Sequence, residues 1–210
     1  MLLRGLALFW VAGALASGAE VYSWHSFETP VIVNSRFELV VHQRVRSRHE
    51  LQFLDLVRGG AILRWNASAR FVPFVGAYFQ PQQIQANNWT EGRRFFGGVE
   101  VPFVFKGGLA LTTRVAAERH IGTGRPDYFR YRSYERLVIG QGRFAPYLQN
   151  EWLAVGQGFH SVRNSGGLRM RVTASLSIEA GYLYDFRRAA WGGNRQAIVT
   201  AVKWQPKPRA

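Results

Sequence analysis

The stretch "LRMRVTASLSIEAGYLYDF", Leu168 to Phe186, decides the fold by which of its two faces lies inside. Every second residue is apolar or aromatic: Leu168, Met170 and Val172, then Leu176, Ile178, Ala180, Tyr182, Tyr184 and Phe186. Between them stand Arg169, Arg171, Glu179 and Asp185. Period two on either side of "TAS" (173–175) marks a β-hairpin. In a water-soluble sheet the apolar face meets the core and the charges meet water. In a membrane barrel the assignment inverts, with apolar residues outward and polar ones inward.

The same alternation runs through most of the chain. Phe37, Leu39, Val41 and Val45 oppose Glu38, His42, Arg44 and Arg46, and Gly59, Ala61, Leu63 and Trp65 oppose Arg58 and Arg64. Phe95, Val99, Val101 and Phe103 oppose Arg94 and Glu100, and Leu109, Leu111 and Val115 oppose Arg114 and Glu118. Phe129, Tyr131, Leu137 and Ile139 oppose Arg130, Arg132 and Arg136, and Phe144, Leu148 and Trp152 oppose Gln149 and Glu151. The last strand is "NRQAIVTAVKW", ending at Trp204. Each run is near the 9–11 residues that a tilted membrane strand requires.

The connections carry a second signal. Tight turns at "NAS" (66–68), "KGG" (106–108), "GQG" (140–142) and "TAS" alternate with longer polar loops such as "QPQQIQANNWTEG" (80–92) and "RRAAWGGN" (187–194). Short turns at one end and long loops at the other are the pattern of an outer-membrane barrel. We therefore expect an all-β fold, a closed antiparallel up-and-down transmembrane barrel of about ten strands, with twelve as the alternative.

Composition agrees with an exported chain. Met1–Arg4 is a short basic start, "GLALFWVAGALA" (5–16) an apolar run, and "ALASGAE" a small-residue cleavage region. An anchor would need about 20 apolar residues, and this run has about twelve. The expected organisation is a signal peptide over 1–19, a lead-in over 20–34, the barrel over 35–204 and a tail over 205–210. Residues 20–34 read either as a short strand or as a lead-in. There is no cysteine, so neither a disulfide framework nor thiolate ligation is available.

The net charge is +14, and Lys106, Lys203 and Lys207 are the only lysines. Such a balance suggests nucleic acid, but the export signal and the period-two dispersal of the arginines argue against it. Placed inward, arginines meet acids in a confined polar lumen. The charged residues expected in the lumen are Arg94, Glu100, Arg114, Glu118, Arg130, Arg132, Glu151, Arg163, Arg169, Arg171 and Glu179. The turn geometry also sets register. Outward Val172 and Leu176 flanking "TAS" place Arg169 opposite Glu179; outward Phe105 and Leu109 flanking "KGG" place Arg114 opposite Glu100.

The order "RGGAILRW…VPFVGAYF", "GRRFFGGVEV", "LALTTRVAAERH", "YFRYRSYERL", "APYLQNEW", "VRNSGGLRMRV" and "SIEAGYLYDF" resembles bacterial family 2490 of the domains of unknown function. The resemblance spans roughly Phe37 to Trp204. It implies a small outer-membrane barrel and brings no known activity.

Catalytic signals are sparse. The histidines are His25, His42, His49, His120 and His160. His160 beside Ser161, and His25 within "SWHSFE", put candidate partners next to each other in sequence, where a regular strand points them to opposite faces. No histidine or acid cluster has metal-ligand spacing, and no cofactor is expected. The expected role is structural, binding, or passage of a small anionic solute, in a monomer among outer-membrane lipids. The alternative is an outer-membrane lipid hydrolase of the deacylase or phospholipase type, which requires a Ser and a His facing each other near the outer rim.

Overall fold

The computed structural model describes residues 21–48, 53–85, 88–124, 126–156, 158–191 and 193–205. The expected signal peptide lies outside the described residues, as does the tail beyond 205. The strands are β1 (Val21–Val33), β2 (Phe37–Arg48), β3 (Phe53–Trp65), β4 (Val72–Phe79), β5 (Gln82–Gln85), β6 (Asn88–Thr90), β7 (Arg93–Val104), β8 (Leu109–Ile121), β9 (Tyr128–Ile139), β10 (Phe144–Val155), β11 (Gly158–Arg171), β12 (Leu176–Arg187) and β13 (Arg195–Trp204).

Eleven of these close into a barrel in chain order, β1 to β4 followed by β7 to β13. The small hairpin β5–β6 folds off the edge of β3, with Leu56 paired to Gln82. The count of about ten, all antiparallel, is corrected here. β1 supplies the eleventh strand and pairs antiparallel with β2 but parallel with β13, from Val21 opposite Gln196 to Glu28 opposite Lys203. The reason is parity: neighbours that alternate up and down through an odd number of strands leave the first and last pointing the same way. The lead-in reading of 20–34 gives way to a barrel strand. Its alternation is blurred by Ser23 and His25 on the outer phase and by a bulge between Pro30 and Ile32.

Turn chemistry fixes the hairpins. At "KGG", Gly107 and Gly108 adopt φ of 82° and 84°, the left-handed region that glycine occupies at no steric cost. Phe105 N–H donates to Leu109 O at 2.8 Å and closes that turn. At "TAS", Thr173 Oγ1 accepts from Ser175 N–H at 3.1 Å and Leu176 N–H at 3.0 Å. The resulting registers place Glu100 opposite Arg114 and Arg169 opposite Glu179.

Side chains alternate between a filled interior and an apolar exterior. One interior cluster is Tyr22, Trp24, Leu183 and Ala197; another is Val40, Ile62, Phe74 and Tyr78, with Phe96 and Ala116 against it; a third is Val138, Ala145 and Tyr147. Outside, Val75, Phe95, Phe129, Tyr131, Leu148, Trp152, Ile198 and Trp204 are all exposed. The interior fit depends on missing side chains. A Cβ at Gly60 would lie 2.0 Å from Ala77 O and 2.6 Å from Tyr78 Cδ1, so only glycine there lets the Tyr78 ring fill the bore.

Candidate functional site: an arginine cup in the barrel interior

The interior charges divide into two groups along the barrel. Toward the turn end, bases and acids match. Glu100 accepts from Arg114 Nε at 2.9 Å, and Arg64 donates to Glu38 at 3.0 Å with Glu28 at 3.7 Å. Glu179 accepts from Arg136 Nη2 at 2.7 Å and Lys203 Nζ at 3.1 Å.

Farther toward the loops, Glu118 is a hub. Arg130 donates to it through Nε at 2.8 Å and Nη2 at 2.5 Å, and His120 Nε2 lies 3.1 Å away. Arg94 and Arg132 reach its other oxygen at 3.6 Å each. Glu151 bridges Arg132 and Arg163; Asp185 takes Arg163 Nε at 3.1 Å; Asp55 takes Arg46 through two bonds of 2.7 and 2.8 Å.

Above this layer the balance fails. A cavity of about 160 Å³ opens among the long loops; among the described residues it is lined by eight arginines, including Arg44, Arg58, Arg94, Arg187 and Arg195, and by no acid. Among the described residues Arg44, Arg58 and Arg195 have no carboxylate within 4.0 Å; they lie instead over aromatic rings. Arg44 stands 5.6 Å from the Trp24 ring, Arg58 4.6 Å from Tyr78 and Arg195 4.9 Å from Tyr22. Arg94 covers Tyr78 as well, at 4.6 Å. The Nε atoms of Arg44, Arg58, Arg94 and Arg195 are buried without a hydrogen-bond partner. Buried donors of this kind are costly, and an anion at the centre would satisfy them. The floor is the packed cluster of Val40, Ile62, Phe74 and Tyr78.

The residues expected in the lumen are distributed as follows. Arg94, Arg130 and Arg163 line the cup, and Glu118, Arg132 and Glu151 form the layer beneath it. Glu100, Arg114 and Glu179 lie in the turn half. Arg171 keeps the inner phase of β11, opposite Ser177, and is exposed beside the 172–175 turn because its strand has reached the barrel rim there. Arg169 faces Glu179 in register, and among the described residues no ion pair joins them; Arg136 and Lys203 both reach Glu179 Oε1.

Sequence reasoning did not single out Arg44, Arg58 or Arg195, although the period-two rows held the first two. It also separated His160 from Ser161, and the structure joins them: His160 Nδ1 is 3.0 Å from Ser161 Oγ, both buried. Leu153 pairs with Ser161 and Ala154 with Phe159, so His160 is the extra residue of a bulge, free of the strict alternation. Compared with known proteins, the chain matches no family model, no curated protein and no solved structure.

Proposed function

We propose that the protein is a small, monomeric bacterial outer-membrane β-barrel whose arginine cup binds a small phosphate- or carboxylate-bearing anion without transforming it. Membership of family 2490 of the domains of unknown function is part of the same proposal. The membrane reading is supported by the belt of exposed apolar side chains around the barrel, a patch far larger than soluble monomers expose. Binding is favoured over passage because aromatic and aliphatic side chains, Val40, Ile62, Phe74 and Tyr78 with Phe96 against them, pack inside the barrel beneath the cup.

One observation carries the binding role: among the described residues, Arg44, Arg58 and Arg195 converge on a cavity with no acid in its lining, and their Nε donors are unsatisfied. A salt-bridged interior serving packing alone would pair them. The test is thermal unfolding of the detergent-folded protein in chloride against phosphate or citrate at equal ionic strength. Selective binding raises the midpoint with ligand concentration, by about 2.7 kcal/mol of stability at a hundred times Kd. Arg44→Gln with Arg58→Gln removes the rise. A midpoint that ignores the anion's identity rejects the cup as a binding site. Recovery of the native protein as a soluble periplasmic species rejects the membrane reading.

A further inference from the structure

The exterior of β1 carries a cluster that the arginine cup does not use. Ser23 and His25 are two residues apart on one strand, so they share a face, and that face is the outer one, opposite to Tyr22 and Trp24. Ser23 Oγ lies 3.1 Å from His25 Nε2. His25 Nδ1 lies 2.7 Å from Thr200 Oγ1 on β13, the residue paired directly with it in the parallel ladder. Ser47 on β2, paired directly with Ser23, places its Oγ 2.6 Å from Ser23 Oγ.

We propose that Ser23, His25 and Thr200 form a hydrolytic site for acyl esters of membrane lipids. The geometry has the three parts a serine hydrolase needs: a hydroxyl, an imidazole nitrogen within reach of its proton, and a third group that orients the ring. With Nδ1–H donating to Thr200 Oγ1, the Nε2 lone pair faces Ser23. The Ser47 hydroxyl adds a donor beside the reacting centre.

The substrate class follows from position. The cluster lies near the start of β1, where Val21 pairs with Gln196 at the long-loop end of the barrel. Exposed Val45 and Ile198 flank it and offer apolar support for acyl chains. In a barrel spanning the membrane, this is the depth at which the ester linkages of a lipid lie, between headgroup and hydrocarbon. Ser23 itself is buried and His25 is exposed, so the carbonyl enters beside the imidazole ring.

The reaction balances with water alone. Ser23 Oγ attacks the ester carbonyl carbon while its proton passes to Nε2. Collapse of the tetrahedral intermediate breaks the acyl C–O bond, and the departing alcohol takes the proton back from Nε2. Water, deprotonated by Nε2, then attacks the acyl-serine, releasing the fatty acid and restoring Ser23. His160 and Ser161 make no competing site on this face, because both are buried in the interior.

This inference rests on the membrane reading, and the experiment separates the two. The folded protein is reconstituted into phosphatidylethanolamine–phosphatidylglycerol vesicles, with insertion checked by the shift in gel mobility on boiling. Fatty-acid release is measured, and a fluorophosphonate probe is mapped by mass spectrometry. The expected results are an adduct on Ser23 and release that falls about 10²–10⁴-fold in Ser23→Ala and His25→Ala. Thr200, a positioning residue, should lose release as Thr200→Val and recover it as Thr200→Ser. Ser161→Ala should be unchanged. Inserted protein that releases no more fatty acid than Ser23→Ala, or that carries the probe on another serine, overturns the hydrolytic site and leaves the barrel standing. Failure to insert overturns the membrane reading, and this site with it.

Discussion

Glu179 stands directly opposite Arg169 across the β11–β12 hairpin, yet its carboxylate is held by Arg136, a residue of β9 two strands beyond β11. Glycine makes the crossing feasible. A Cβ at Gly181 would come within 2.5 Å of Tyr147 Oη, so its absence lets Tyr147 lean over, and Arg136 lies 4.3 Å above that ring. Energetic coupling should follow the ion pair and not the register. In a double-mutant cycle, Glu179→Gln with Arg136→Gln should couple by roughly 0.5–3 kcal/mol. Glu179→Gln with Arg169→Gln should be nearly additive. Unfolding by urea in detergent measures both, and strong coupling to Arg169 would contradict the pairing.

Glu118 is 2% exposed and is contacted by Arg94, Arg130 and Arg132. Its neutralisation strands several buried cations at once. Glu118→Gln should lower barrel stability by about 3–5 kcal/mol, the usual cost of leaving a buried charge unpaired. Glu38→Gln, at a half-buried site where Glu28 and Glu100 also serve Arg64, should cost much less. Equal losses at the two sites would remove the hub's special role.

Part of this pairing was legible in the sequence. Glu100–Arg114 and Arg163–Asp185 are directly opposed across the tight turns at 106–108 and 173–175, so turn position plus alternation suffices to find them. Glu38–Arg64, Glu118–Arg130 and Glu151–Arg163 are also directly opposed, but across loop-end connections that fix no register, two of them with a bulge. Three further kinds of feature escaped. The β1–β13 pairing is non-local and has no turn to announce it, and Ser23 and His25 interrupt the apolar outer phase. The bulge at His160 breaks period two, which is the assumption that separated it from Ser161. The surplus of Arg44, Arg58 and Arg195 depends on which acids reach which end of the bore, and alternation carries no information about that.

The eleventh strand has a topological consequence. Val21 pairs with Gln196 at the loop end, whereas Asn34 and Phe37 close the β1–β2 turn at the opposite end. The chain's first strand therefore starts beside the long loops. With those loops outside the cell, an impermeant maleimide applied to intact cells should label Val21→Cys and Thr123→Cys but not Ser35→Cys. Labelling of Val21→Cys and Ser35→Cys on the same side would show that β1 does not cross.

Glu135 faces outward near the middle of β9, paired with Thr113 and Asn150, and accepts from Ser133 Oγ at 2.6 Å. Asn150 in turn donates to Asn164 at 2.7 Å, extending a polar row across three strands. In a bilayer this row meets hydrocarbon. Acids at the midplane cost less than the roughly 2–4 kcal/mol of Lys or Arg, but they still cost. Glu135→Leu should therefore stabilise the barrel in vesicles and have little effect in a small-micelle detergent. Destabilisation in vesicles would mean that another protein surface covers the row.

Arg58 separates the two roles open to a buried cation, because structural and ligand-binding arginines respond oppositely to removal. Among the described residues it has no acid within 4.0 Å, its Nε is unsatisfied, and Arg94 lies over the same Tyr78 ring at the same 4.6 Å. Two cations across one ring repel, and the ring's quadrupole offsets only part of that. Arg58→Met keeps a long flexible side chain against Tyr78, in a contact sulfur tolerates well, while removing the charge. In chloride the variant should be more stable than the parent, by roughly 0.5–2 kcal/mol, the scale on which single stabilising substitutions act. In saturating phosphate the order should reverse, because the parent gains binding energy that the variant has lost. The crossing of the two stabilities with anion concentration is the expected signature. A variant less stable than the parent in chloride would make Arg58 a packing element and leave the cup without one of its unsatisfied donors.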